Sequence, residues 1–371
     1  MRVGLYFPNK PLNIGIPSGD KTIAEGIVAS LGRHGHLCRE MTDFRSRLFW
    51  KSLQEIIKLP YAFWESVRRF RSFKPHIWVT YHSYYKSPDL FGWWLAAPRI
   101  PYVIIQPMRA NKRRKQALTK LGAAINDIAI RRASLLISNN LMDIEALKRF
   151  VPSKELYYIP PGIFPDMFPR DLNAASTLRL KLSLPPNIPL LLTVCMFRKG
   201  AKWESLAFLF EALELLKSKK NFILLVIGSG SLWSSVRHYA WEKLGDRVEF
   251  LGMIPRSELF RYYSLADLFV FPGIGESLGM VYLEAQSCGC PVVALDSEGV
   301  RQVVCHGKTG ILVSSPLPEA YADAVSLMLD SPKLRDEMGR EGMTFVREKR
   351  NAHLNNLSLV RLLERLVHEH D

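Results

Sequence analysis

Short apolar runs bounded by glycine and proline recur along the chain, spaced so that a helix fits between most of them. Val3, Leu5 and Phe7 alternate in a first run that predicts a strand, and a loop rich in Gly, Pro and Asn follows from Pro8 to Gly19. Thr22 to Leu31 has apolar residues at helical spacing and stops at Gly32. Ile77 to Tyr81, Tyr102 to Ile105 and Leu135 to Ser138 read as further strands, the last preceded by a helical stretch from about Lys120 to Ala133. Apolar strands alternating with helices predict a parallel sheet covered on both faces.

The pattern breaks at Tyr158-Ile159-Pro160-Pro161-Gly162-Ile163-Phe164-Pro165, which reads as an interdomain linker, and then starts again. Leu190 to Val194 predicts a strand, Leu206 to Leu216 a helix, and Phe222 to Ile227 a strand ending at Gly228-Ser229-Gly230. Val248 to Leu251, Leu268 to Phe271 and Pro291 to Ala294 are the next strands. From Phe345 to Val367, Leu354, Leu357, Val360, Leu363 and Leu366 recur at helical spacing. The expected fold is α/β, two doubly wound domains over 1–165 and 166–345 with a helix over 346–371. A chain of 371 residues exceeds what one core usually organises. Ligands of such sheets bind beyond the carboxyl ends of the strands, and between two facing domains the cleft is the default site. The loops after Phe7, Val194, Ile227 and Phe271 should therefore carry the chemistry.

The most informative loop is Phe271-Pro272-Gly273-Ile274-Gly275-Glu276-Ser277-Leu278-Gly279-Met280-Val281-Tyr282-Leu283-Glu284-Ala285. A strand ends, a flexible loop presents Glu276, and a helix begins near Leu278 or Gly279. The helix end offers free N–H groups and a positive dipole to a diphosphate. Glu284 falls about a turn and a half inside that helix, where a carboxylate accepts from two vicinal hydroxyls. It is flanked by Val281, Leu283 and Ala285, and a glutamate in such a setting needs a partner. The alternative is a surface loop before an ordinary helix with a solvated glutamate.

The segment from Gly252 to Val313 resembles the donor-binding region of the family 4 retaining glycosyltransferases of GT-B fold. The resemblance rests on Leu265-Ala266-Asp267-Leu268-Phe269-Val270-Phe271-Pro272, the two glutamates, Gly289-Cys290-Pro291-Val292-Val293-Ala294 and Gly307-Lys308-Thr309-Gly310. It implies two Rossmann-like domains facing across a cleft, with the C-terminal helix returning to the first. It also implies that Glu276 contacts the donor sugar, that Glu284 binds the ribose hydroxyls, and that the backbone of Gly279, Met280 and Val281 meets the diphosphate and sugar.

In Thr193-Val194-Cys195-Met196-Phe197-Arg198-Lys199-Gly200, cations follow the first strand of the second domain. The family shows a Gly-Arg pair and then Lys-Gly several residues on, whereas here Cys195-Met196 stands in the first position. Arg198 and Lys199 are assigned to the leaving diphosphate, with Lys202 as a rival lysine; a solvated basic turn is the alternative. Gly228 and Gly230 match a family loop near the donor, although two glycines at a strand end are often only a turn. In the first domain, Gly19 matches a glycine-rich loop that in the family admits the acceptor and touches the donor phosphates, with a plain left-handed turn as the alternative. Many relatives place a histidine where this chain has Gln106-Pro107-Met108-Arg109. His82, at a neighbouring strand end, is either an acceptor-pocket residue or a packed histidine.

Charge sharpens the picture. Residues 1–170 hold 27 Lys/Arg against 12 Asp/Glu, and residues 171–371 hold 23 of each. The surplus of one half points to an anionic partner. Arg45 to Lys74 has eight cations and two acids interleaved with Leu48, Phe49, Trp50, Leu53, Ile56, Ile57, Phe63, Trp64, Val67 and Phe70. That pattern predicts an interfacial helix pair broken at Pro60, with core packing as the alternative. Arg109 to Lys120 adds six cations and no acid, for an anionic membrane surface or an acidic acceptor. The aromatics follow helical periodicity rather than a stacking platform, so nucleic acid is not the expected partner. Five cysteines at irregular spacing and no apolar run long enough to span a bilayer suggest a cytoplasmic protein on the inner face of the membrane.

The reaction so implied moves a sugar from a nucleoside diphosphate to a hydroxyl of a lipid-linked or cell-surface glycan of lipopolysaccharide or exopolysaccharide type, with retention. No Asp-x-Asp motif occurs, so no metal or other cofactor is expected. A nucleotide-sugar 2-epimerase on the same fold, an inactive donor-binding protein and a basic nucleic-acid binder are the other readings.

Overall fold

A computed structural model describes residues 1–12, 19–109 and 117–370, with Gly19, Asp20 and Ala117 as backbone only. The chain divides into two units, Met1–Ile159 together with His353–Asp371, and Pro160–Ala352.

The first unit runs β1 (Arg2–Tyr6), α1 (Gly19–Arg33), β2 (Leu37–Glu40), α2 (Leu53–Phe73), β3 (Ile77–Tyr81), α3 (Gly92–Leu95), β4 (Tyr102–Ile105), α4 (Ala117–Arg132), β5 (Leu135–Ser138), α5 (Leu141–Phe150) and β6 (Glu155–Tyr158). Its sheet has the order β2-β1-β3-β4-β5-β6 with every neighbouring pair parallel. β3, β4 and β5 are buried throughout, which explains their uninterrupted apolar runs. The edge strands β2 and β6 were not visible in the apolar pattern. Leu37-Cys38-Arg39-Glu40 and Glu155-Leu156-Tyr157-Tyr158 are at most half-buried, so polar residues fit there.

Two cores flank this sheet. One joins Val3, Leu5, Val79 and Ile137 to Ala24, Ile27 and Leu31 of α1. The other joins Tyr6, Trp78, Tyr102 and Ile104 to Phe91, Leu95 and Ala62, with Phe63, Val67 and Phe70 of α2 packed against it.

The helix pair expected in Arg45–Lys74 is a single helix. α2 continues through Pro60, after Ser52 caps its start by accepting from the Glu55 N–H. Pro60 lies on the exposed side, so the one lost backbone bond falls at the solvent side and the buried face stays intact.

The second unit runs α6 (Leu172–Lys181), β7 (Leu190–Val194), α7 (Ala201–Glu214), β8 (Ile223–Ile227), α8 (Trp233–Leu244), β9 (Val248–Gly252), α9 (Leu259–Leu265), β10 (Leu268–Val270), α10 (Met280–Ser287), β11 (Val292–Leu295), β12 (Gly310–Val313), α11 (Pro318–Asp330) and α12 (Pro332–Lys349). The sheet order is β12-β11-β10-β7-β8-β9, again parallel. The periodic run from Phe345 to Val367 is divided between α12 and α13 (Ala352–His368). α13 packs Leu359, Val360, Leu363 and Val367 into the first unit's core.

Candidate functional site

The best-defined cluster lies at the carboxyl ends of β7, β9 and β10, all within the second unit. After β10 the chain turns through Gly273, Gly275 and Gly279, each with positive φ. At Gly279, φ is 74° and an added Cβ would lie 2.4 Å from the Tyr282 ring, so only glycine lets the chain enter α10 across that ring. Tyr282 is fully buried and its hydroxyl donates to the Phe271 carbonyl at 3.0 Å. The Ile274 N–H donates to Ser205 Oγ at 2.9 Å, tying the loop to α7. These internal bonds hold the loop's shape. Gly279 caps α10, and Met280 and Val281 form its half-buried first turn.

Glu276 accepts an ion pair from Lys202, and the Lys202 ammonium lies 4.8 Å from the Phe271 ring centroid. Helix α7 begins at Ala201, earlier than its apolar pattern indicates, because Gly200 takes φ 82° and starts the first turn there. That early start puts Lys202 on the loop side of the helix. Arg198 and Lys199 are exposed in the preceding turn. The structure thus brings Lys202, not Lys199, to Glu276. Cys195, beside these charges, has its thiol pushed up to about 12 by burial.

Glu284 is 5% exposed and both carboxylate oxygens are engaged. Arg256 Nη2 donates to Oε1 at 2.7 Å, and the Tyr263 hydroxyl donates to Oε2 at 3.1 Å. Burial raises the carboxyl pKa while Arg256 and Tyr263 pull it down. Arg256 follows β9 and Tyr263 belongs to α9, so neither is close to Glu284 in sequence. The only pointer to them was the apolar flank of Glu284, which required some partner without saying which.

Gly228 and Gly230 hold two loops together. A Cβ on Gly228 would lie 1.9 Å from the Cys195 carbonyl oxygen, and one on Gly230 would lie 2.2 Å from that of Phe197. The loops are stitched by Cys195 N–H to Ile227 O and Phe197 N–H to Ser229 O, both at 3.0 Å. These glycines thereby set the course of the segment leading to Lys202.

In the first unit, His82 and Gln106 end β3 and β4 in left-handed conformations, with φ 62° and 55°. Their N–H groups donate to Ile105 O at 2.8 Å and Ile137 O at 2.6 Å, so each strand end hooks onto its neighbour. Non-glycine residues held this way are costly and concentrate at functional sites. The His82 ring lies 5.1 Å from that of Tyr84. Burial raises the Asp143 carboxyl to about 6, opposed by the charge of His82. Arg109 pairs with Asp127 at 3.3 Å and lies 3.7 Å from the Phe150 ring centroid, whose ring also has Arg131 at 4.4 Å. Arg109 is thus engaged by its own unit. Gly19 opens α1, while Pro17, Ser18 and residues 110–116 of the basic stretch lie outside the described residues.

Comparison with known proteins adds the following. The family described as "Glycosyl transferases group 1" matches residues 192–344. The chain is 30% identical over 291 residues to D-inositol 3-phosphate glycosyltransferase 2 of Catenulispora acidiphila, covering 73% of this chain and 67% of that protein. It is 34% identical over 203 residues to a GDP-mannose-dependent alpha-(1-6)-phosphatidylinositol monomannoside mannosyltransferase of Mycolicibacterium smegmatis. That match spans 52% of either protein, about half the relative's length. Among solved structures, sucrose-phosphate synthase from Thermosynechococcus elongatus has a TM-score of 0.75 at 20% identity, covering 99% of both chains. The Anabaena protein HepE in complex with UDP has a TM-score of 0.76 at 17% identity, covering 98% of this chain and all of that one. At such identities the likeness is one of fold.

Proposed function

From the premise that this chain belongs to the group 1 glycosyl transferases, we propose that it moves a sugar from a nucleoside-diphosphate donor to a hydroxyl of a lipid-linked or cell-surface glycan acceptor, with retention at the anomeric carbon. The observation that carries the reading is the pair of engaged carboxylates, Glu276 with Lys202 and Glu284 with Arg256 and Tyr263, at the carboxyl edge of one parallel sheet.

In this mechanism the diphosphate lies against the N-terminal end of α10 at Gly279, and Lys202 exchanges Glu276 for phosphate oxygens. Glu276, so released, receives hydroxyls of the donor sugar. Glu284, oriented by Arg256 and Tyr263, accepts from the ribose hydroxyls. As the bond from the anomeric carbon to the diphosphate breaks, the acceptor oxygen bonds to the same face of that carbon. Its proton passes to the departing phosphate oxygen. Lys202 and the helix end stabilise the charge that develops there. Arg198 and Lys199 are exposed enough to follow the diphosphate, in a lesser role.

The acceptor reading draws on relatives named for phosphatidylinositol monomannoside and inositol 3-phosphate. Peripheral attachment to an anionic membrane fits α2. Leu53, Ile56, Ile57, Tyr61 and Trp64 are 43–73% exposed on its first three turns, at the spacing of one face. Among the described residues no helix is long and apolar enough to cross a membrane.

Thermal-shift screening against UDP, GDP, ADP and CMP sugars tests the donor assignment. One donor should stabilise the protein, and Glu284→Gln should abolish the shift. Stabilisation by none, or unchanged binding by the variant, overturns it. Conversion of the donor to its 2-epimer without any acceptor would overturn the transfer reaction.

A further inference from the structure

Loops after three adjacent strands of the first unit, β2, β1 and β3, meet at one backbone oxygen. The Pro8 carbonyl accepts from the Ser46 N–H at 3.0 Å and from Ser87 Oγ at 2.8 Å. The Ser46 hydroxyl donates to the Pro88 carbonyl at 2.7 Å, closing the junction. Ser46 and Ser87 are fully buried and Asn9 is 5% exposed. Buried hydroxyls satisfied in this way fix the three loops relative to one another.

Two arginines stand on this base. Arg45 Nε donates to the Asn9 carbonyl at 2.9 Å. Arg47 Nη1 donates to Asn9 Oδ1 at 3.3 Å and lies 3.5 Å from the Tyr84 hydroxyl. Both arginines thus reach Asn9, Arg45 through its backbone carbonyl and Arg47 through its side-chain oxygen. Among the described residues neither pairs with a carboxylate. Other arginines of this unit do have acids, such as Arg69 with Glu65 at 2.6 Å and Arg365 with Glu155 at 2.8 Å. Two cations oriented by neutral oxygens, with most of their N–H groups uncommitted, repel one another until an anion bridges them. A tetrahedral oxyanion fits two planar forks best.

We propose that Arg45 and Arg47, held by Asn9 at the carboxyl edge of the first sheet, form a binding site for a phosphoryl group carried by the acceptor. The assignment rests on the sugar-transfer reading for the word acceptor, but the site itself is defined by phosphate chemistry. It selects acceptors bearing a phosphate monoester or diester over neutral glycans.

The test titrates the full chain with inorganic phosphate and glycerol 1-phosphate, followed by calorimetry. A second arm uses phosphatidylcholine vesicles with and without phosphatidylinositol, which separates a free phosphate from a lipid headgroup. Arg45→Gln/Arg47→Gln should bind at least about tenfold more weakly in whichever arm the wild type binds, judging from the strength of charge-assisted pairs. Lys333→Gln, at an exposed cation of the other unit, should bind like the wild type. Arg45→Lys/Arg47→Lys keeps the charge but not the fork, and should recover only part of the affinity, which guards against a double variant that simply misfolds. Unchanged affinity in the Gln pair, or full recovery in the Lys pair, overturns the site. Donor-induced thermal shifts measured on the same samples distinguish the two readings. Phosphate binding without any donor shift removes the transfer reading and leaves the site standing.

Discussion

The two units treat their charges in opposite ways. At the carboxyl edge of the second sheet, the two carboxylates of the candidate site are already matched, Glu276 to Lys202 and Glu284 to Arg256 and Tyr263. At the corresponding edge of the first, Arg45 and Arg47 meet, among the described residues, only carbonyl, amide and hydroxyl oxygens. A site for a ligand with both hydroxyls and a diphosphate needs anions and cations together, and without ligand they neutralise one another. A site for an anion alone needs uncompensated cations, which burial discourages, so they sit nearer the surface. The equal 23 and 23 of residues 171–371 and the 27 against 12 of residues 1–170 express the same difference in composition.

The largest effect that can break this comparison is at Lys202. Lys202→Ala should lower turnover roughly 10²–10³-fold with the fold intact, as for loss of a single preorganised donor. Steady-state kinetics with the donor found by screening measures it, and a variant of near wild-type rate would remove Lys202 from the reaction. Arg256→Ala comes next, because it strands a buried carboxylate; urea unfolding should show a loss of about 3 kcal/mol. Without Arg256 the folded carboxyl binds its proton still more tightly than the unfolded one. The deficit should therefore grow as pH rises above the ordinary carboxylate range, and shrink in acid.

Glu40 probes the first unit. Burial, with Asp43 adding to it, raises its carboxyl to about 7. The folded state keeps a proton that the unfolded state has released, so this group's contribution is full below the ordinary glutamate range and is lost as pH rises toward 7. The slope is at most about 1.4 kcal/mol per pH unit. Glu40→Gln should flatten the urea midpoint between about pH 5 and pH 7 if the assignment holds. The smallest effect is at Lys199, where alanine should change turnover less than about threefold, since exposed ion contacts are weak. A loss as large as that at Lys202 would return the diphosphate role to the compact Arg198-Lys199-Gly200 turn.

Much of the architecture was legible because the inner strands are buried on both faces and leave uninterrupted apolar runs, as at Ile77–Tyr81 and Leu190–Val194. The edge strands escaped since their exposure admits Arg39 and Glu155. The loop around Glu276 was legible because its glycines and the start of α10 are local in sequence. Arg256 and Tyr263 were not, since contact with Glu284 is made by tertiary packing across 28 and 21 residues. The pairing of Lys202 with Glu276 was hidden for a different reason: Gly200 starts α7 ahead of its apolar stripe, and a helix start set by backbone conformation leaves no hydrophobic signature. Pro60 misled in the other direction, since a proline on the solvent side of a well-packed helix interrupts one bond and no packing.

The return of α13 has a consequence for synthesis on the ribosome. Leu359, Val360, Leu363 and Val367 complete a core that β1, β3 and β5 begin, yet all of Pro160–Ala352 is translated in between. Nascent Met1–Ile159 therefore waits with an unfinished apolar face while the second unit, continuous in sequence, completes its own two cores. The later-made unit is the one free to finish folding first. A nascent chain stalled before α13 would carry a solvent-exposed seam for chaperones to cover.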